Sequence, residues 1–189
     1  MRWLSRGGAA AALAVGLATI WGFGWRGVVL LLAFFVSGSL LTEGGGQRTE
    51  RQVLANGGVA ALAALAGNWI AFAGALAAAT ADTWASEIGR HSRTPPRLIT
   101  NGRLVAAGTD GGITALGTAG GIAGAGLVAG LSYLLRHRSG VAIAVAGIVG
   151  MLVDSLLGAT VQGRVRWMDN DAVNLAATLT GAACAVLIA

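Results

Sequence analysis

The sequence predicts an all-α integral membrane protein of about seven transmembrane helices, packed through glycine, with a cytoplasmic N-terminus. Three observations predict this. Hydrophobic residues fill 55% of the 189 positions and charged residues only 11%, whereas a soluble domain carries about 25% charged residues. The apolar residues form runs long enough to cross a hydrocarbon core of about 30 Å, separated by short polar stretches. The 31 glycines have no collagen-like period and lie scattered through those runs, which suits close approach of helices in lipid.

Residues 7–22 form the first expected helix, entered through Arg2 and Arg6. Its basic start and apolar middle resemble a signal peptide. No small-x-small cleavage site precedes a polar region, however, and further apolar segments follow at once. Trp21, Trp25 and Arg26 mark a membrane interface, since indole and guanidinium favour the headgroup level. A second helix over 27–41 ends in the loop Thr42–Gln47, where Glu43 reads as a solvated charge, as does Glu50 beyond it.

The next run decides the topology. As one helix, Val53–Ala79 would be about 40 Å long, more than the core requires, although tilt absorbs such an excess. A break at Gly67-Asn68 gives two helices instead, 48–67 and 68–89. Arginine placement favours the break. It puts Arg2, Arg6, Arg48, Arg51, Arg90, Arg93, Arg97, Arg103, Arg164 and Arg166 on one side, against Arg26, Arg136 and Arg138 on the other, ten to three. That is the bias of a cytoplasmic face.

Residues 90–109 form a polar loop stiffened by Pro95-Pro96. A glycine-rich helix over 110–135 follows. Its small-xxx-small pairs, Gly117/Gly121, Gly120/Gly124 and Gly126/Gly130, suggest a central position and a homodimer face. After the turn Arg136-His137-Arg138 come a helix over 141–161, a basic loop, and a last helix over 171–189. His91 and His137 sit in loops and read as bystanders. The whole chain, 1–189, reads as one polytopic domain of the cell membrane.

Composition also excludes. Every one of the 13 basic residues is Arg, so Schiff-base and P-loop lysines are absent. Cys184 is alone, which rules out an intramolecular disulfide or a cysteine metal cluster. The net charge of +5 comes from arginines separated by apolar helices, an orienting signal and not a nucleic-acid surface.

With the break at Asn68, the polar residues of the helices converge on the cytoplasmic half. Arg48, Gln52 and Asn56 are spaced by four and share a helix face. Asp82, Ser86 and Glu87 close the neighbouring helix. Thr109, Asp110, Gly111 and Gly112 open the glycine-rich one, whose free N–H groups can receive phosphate oxygens. Asp154 sits about two turns inside its span, and an ionisable residue there is a functional hypothesis by default. Asn170, Asp171 and Asn174 open the last helix, with Asp171 also suited to capping. Carboxylates near one plane, with Arg and Asn beside them, suit Mg²⁺ and phosphate chemistry. In this reading Asp82, Glu87 and Asp154 hold Mg²⁺, while Arg48, Arg97 and Arg103 contact phosphates. Gln52, Asn56, Asn101, Asn170 and Asn174 orient nucleotide or phosphate. The residues alone leave open an isoprenyl-phosphate kinase, a polyprenol kinase or CDP-lipid cytidylyltransferase using the same site, an ion-coupled transporter and a structural membrane scaffold.

Six segments in order carry a resemblance: RQVLANGG (51–58), ATADTWASEIG (79–89), PRLITNGR (96–103), GTDGGIT (108–114), DSLLGATVQ (154–162) and NDAVN (170–174). Together they resemble the multi-pass membrane family that includes transmembrane protein 19 and the plant and cyanobacterial phytyl-phosphate kinases. The resemblance implies phosphorylation of an isoprenyl monophosphate to the diphosphate, using CTP or another nucleoside triphosphate with Mg²⁺. It is also similar in outline to the dolichol- and phytol-kinase group.

Overall fold

The computed structural model describes residues 3–42, 46–136 and 139–189, and it is mostly helical. Arg2, Glu43, His137 and Arg138 lie outside the described residues. The helices are α1 (Arg6–Leu41), α2 (Glu50–Leu65), α3 (Trp69–Gly89), α4 (Ala115–Arg136), α5 (Gly140–Thr160) and α6 (Asn170–Ile188). Four of them, α1, α4, α5 and α6, are long and apolar enough to cross a membrane by length and composition.

The first helix is folded in two. Gly24 has φ 59° and ψ −148°, a conformation that only glycine adopts without strain. A straight 36-residue helix would run about 54 Å, yet the rings of Trp3 and Phe35 are 5.8 Å apart in an edge contact. The two arms therefore run back along each other. Ser5 caps the start, its Oγ accepting from Gly8 N–H at 2.9 Å.

The run 53–79 is likewise broken. Gly67 takes φ 67°, and Asn68 caps α3 by accepting from Ala71 N–H at 3.0 Å. A capping box fixes the other end of α2: Thr49 Oγ1 accepts from Gln52 N–H, and Gln52 Oε1 accepts from Thr49 N–H.

The centre of the bundle is α3. From Trp69 to Ala81 almost every residue is buried, most of them alanine. The sequence predicts that place for the glycine-rich α4. Its glycines serve α3 instead: Gly117, Gly120, Gly121 and Gly124 let α4 approach Ala81, Ala85, Ile88 and Trp84, while nothing lies close to Gly126 and Gly130. Opposite them, Gly74 of α3 and Gly181 of α6 bring those two backbones together. Enclosed on several sides, α3 faces protein more than lipid, so its polar last third is tolerated.

The expected loop 90–109 is a built structure. Arg97–Leu98 (β1) pairs antiparallel with Gly112–Ile113 (β2). Helix α4 therefore begins at Ala115 and not at Asp110. Gly111 has φ 73°, and Thr114 Oγ1 accepts from Gly117 N–H at 3.0 Å as the helix cap. The expected phosphate cradle at a helix start over Gly111-Gly112 is thus a strand and turn.

Polar segments gather at one end of the bundle. Ser5 N–H donates to Arg48 O, and Arg48 N–H to Trp3 O. Arg51 pairs with Asp169 at 2.5 Å and with Asp171 at 3.5 Å, tying α2 to the start of α6. At the other end Arg136 stacks over the rings of Trp69 and Phe23, at 5.0 and 5.5 Å.

Candidate functional site

Asp82 follows directly on the buried alanine run of α3, and Asp154 lies in α5 facing it. Their carboxyl groups interact, and Asp110 is near enough to act on Asp154 electrostatically. One oxygen of Asp154, Oδ2, is buried without a hydrogen-bond partner among the described residues. Such an atom is costly to leave unmet.

Both carboxyls line a cavity of about 620 Å³, within the range of small-molecule sites. Ser86 and Arg90 of the α3 end contribute, with Thr118 of α4 and Ser155 of α5. The folded loop roofs it with Arg93, Thr94, Thr109 and Asp110, and Gln162 and Asn170 complete the rim. Gly111 seats the roof on α5: a side chain there would meet Ala159 Cβ at 2.4 Å and Ser155 O at 2.5 Å.

The expected constellation is divided by α3. Asp82, Asp154, Ser86, Thr109, Asp110, Gly111, Gly112 and Asn170 come together at this cavity. Glu87 does not. It accepts from Thr42 Oγ1 at 3.1 Å and pairs with Arg90 at 3.1 Å, on the α1 side of α3. Successive helical residues point about 100° apart, which is how Asp82 and Glu87 come to face different neighbours. Arg48, Gln52 and Asn56 share a face as the spacing predicts, but that face lines a separate apolar cavity with Thr83. Burial lowers the pKa of the Arg48 guanidinium, and the Glu87 carboxylate opposes that shift.

Arg97, Asn101 and Arg103 serve the loop. Arg97 donates to Gly102 O at 2.8 Å, and Asn101 Oδ1 accepts from Arg103 N–H at 3.1 Å. Asn174 is buried and donates to Asn170 O at 2.9 Å. Asp171 is held by Arg51, and the capping residue of α6 is Asp169, which accepts from Ala172 N–H at 3.0 Å. The sequence marks Arg90 and Arg93 only as sidedness charges. The spacing of Ser86 and Arg90 by four was the available signal for Arg90. Among the described residues no group of three or more His, Cys, Asp or Glu could hold a metal ion. The protein offers the Asp82–Asp154 pair.

The Ala172 N–H, and after it Arg51, hold the Asp169 carboxyl below the usual carboxylate range. A lowered pKa stabilises the fold above the unfolded value near 4, and that contribution fades as the pH falls. Asp169→Ala is expected to melt earlier than wild type at pH 7. The gap should close below about pH 4, as thermal unfolding in detergent will show.

These features define an integral membrane protein with a polar cavity set among its helices. The chain belongs to the integral membrane protein family DUF92, whose model matches residues 1–182. It is 37% identical over 206 residues to a membrane protein of Methanocaldococcus jannaschii, covering 99% of this chain and 86% of that one. A membrane protein of Synechocystis is 30% identical, with 88% and 76% covered. Protein PGR of Arabidopsis thaliana is 34% identical over 74% of this chain and 65% of its own length. No solved structure matches the chain.

Proposed function

We propose that the protein is a membrane-embedded kinase that transfers the γ-phosphoryl group of a nucleoside triphosphate, CTP by the family resemblance, to an isoprenyl or phytyl monophosphate. The observation that supports this most is the Asp82–Asp154 pair on the wall of a cavity roofed by an arginine-bearing loop. Mg²⁺ characteristically takes one or two carboxylates and fills its remaining positions with water and substrate phosphates. The unpartnered Asp154 Oδ2 fits a cation there. When bound, Mg²⁺ would neutralise phosphate charge. Arg90 and Arg93 would hold further phosphate oxygens. The anionic oxygen of the lipid phosphate forms the new bond to the γ-phosphorus as the β,γ-bridging bond breaks, and the nucleoside diphosphate leaves. The attacking oxygen carries no proton to remove, so positioning and charge neutralisation suffice.

A second reading has one observation in its favour. Two interacting carboxyls inside helices also suit an ion-coupled carrier. In proteoliposomes the kinase reading expects nucleotide turnover with no substrate-dependent proton or sodium flux. Flux without turnover would favour the carrier. A CDP-lipid cytidylyltransferase would instead attach the nucleotide's α-phosphate to the lipid.

The reading takes the chain to cross the cell membrane seven times, with the two arms of α1 and α2–α6 as the spans. The arginine-rich cavity end then lies in the cytoplasm. A reporter fused at Asn68 is expected outside and one at Gly102 inside. A cytoplasmic signal at Asn68 would overturn the topology.

A further inference from the structure

On the far side of α3 from the polar cavity lies a groove of about 310 Å³ between the two arms of α1 and α2. Its walls are apolar, including Val15, Ile20, Leu31 and Phe34. Its polar end is formed by Arg48, Gln52, Asn56 and Thr83. Arg48 is held in place by its backbone, bonded to Trp3 and Ser5, and its guanidinium lies 5.5 Å from the ring of Phe35. Gln52 Oε1 accepts in the capping box and Asn56 donates to Gln52 O. The Arg48 guanidinium makes no hydrogen bond or ion pair among the described residues. A partly buried guanidinium with open donors at the end of an apolar groove is matched by an anionic head on a hydrocarbon tail.

We propose that this groove holds the isoprenyl chain of the lipid phosphate, with its phosphate on Arg48. The identity of this occupant rests on the kinase reading above. Thr83 of this groove and Asp82 of the polar cavity are adjacent in α3, so Arg48 marks a docking position for the head at the level of the carboxyl pair but across α3 from it, not the position from which transfer occurs. Glu87 and Arg90 stand between the two: Glu87 reaches Thr42 beside the groove, and Arg90 lines the polar cavity.

The test is binding, not turnover. Geranylgeranyl monophosphate is titrated into the full chain in detergent and complexes are counted by native mass spectrometry, with geranylgeraniol and phosphatidylglycerol as comparisons. Gly16 lines the groove, and nothing lies within 4 Å of where its side chain would start. Gly16→Phe therefore fills the space without a backbone clash. Arg48→Gln is expected to weaken the phosphate about tenfold or more and to leave geranylgeraniol unchanged. Gly16→Phe should weaken both lipids, and Gly126→Leu, on the open side of α4, should leave lipid binding intact. If both groove variants bind the phosphate like wild type, the proposal is wrong. It is also wrong if phosphatidylglycerol displaces the phosphate at equal concentration, because the groove is then an ordinary bilayer-lipid contact. Should Gly16→Phe fail to fold, Arg48→Gln and the wild-type competition decide. If the expected binding pattern holds but no nucleotide supports transfer, the kinase reading falls and the groove assignment stands.

Discussion

Asp82→Asn and Asp154→Asn are each expected to reduce nucleotide-dependent phosphorylation by about 10²–10³-fold while leaving the protein folded. The two carboxyls share one cavity wall and interact with each other. On the kinase reading each would therefore supply a bound cation with negative charge that an amide lacks. Neither variant should lower thermal stability, because a carboxyl within a span is costly to keep and Asn is close to it in shape. Their effects should not multiply in the double variant, since removing either one dismantles the same site. Glu87→Gln gives the contrast. Glu87 is committed to Thr42 and Arg90, so its loss should disturb the α1 contact and cost activity far less. Comparable losses in Glu87→Gln and Asp82→Asn would return Glu87 to the metal site.

Gly181→Leu is expected to have the largest effect on stability. A side chain at Gly181 would start 2.6 Å from both Ala78 Cβ and Gly74 O. In return, a side chain at Gly74 would start 2.5 Å from Ala185 Cβ and Gly181 O. Helices α3 and α6 are thus in backbone contact, and in the same layer a side chain at Gly150 of α5 would start 2.4 Å from Ala78 Cβ. Overpacking costs about 1–3 kcal/mol where neighbours can shift and more where they are backbone. Here they are the Gly74 carbonyl and a Cβ fixed to the α3 backbone. Thermal unfolding followed by size-exclusion chromatography should show a large fall in melting temperature or loss of the monodisperse peak. Gly126→Leu, on the open side of α4, should unfold like wild type. If it instead changes the oligomeric state, that face of α4 carries a homodimer.

The membrane class was legible because low charge and long apolar runs are bulk properties that tertiary structure cannot reverse. The breaks were legible for a local reason. Gly67-Asn68 couples a left-handed glycine to an N-cap asparagine, and the arginine balance requires a turn there. Gly24, between Trp21 and Arg26, marks the other fold-back. Residues 90–114 were harder. A two-residue strand pair held by Leu98, Ile99 and Gly111 leaves no periodicity to read, and its partner 112–113 looked like the first turn of a helix. Glycine in α4 was also misleading about the centre. Small residues show where two helices approach, not which of them is enclosed, and the alanines of α3 held that information.

The site was half legible. Polar residues inside apolar runs were found because each is costly in lipid. Which of them share a cavity depends on helix rotation. At about 100° per residue, a modest turn of α3 decides whether Asp82 faces α5 or α1. That rotation is set by the glycine contacts with α4 and α6. It sends Asp82 to Asp154 and Glu87 to Thr42.

The most direct test of the kinase reading is one assay of the purified protein in lipid. Geranylgeranyl and phytyl monophosphates are supplied with Mg²⁺ and with CTP labelled at either the γ- or the α-phosphate. The account predicts a lipid diphosphate that carries the γ-label and not the α-label, and that disappears in Asp82→Asn. Label from the α-phosphate in the lipid, or no labelled lipid with any nucleoside triphosphate, would contradict it.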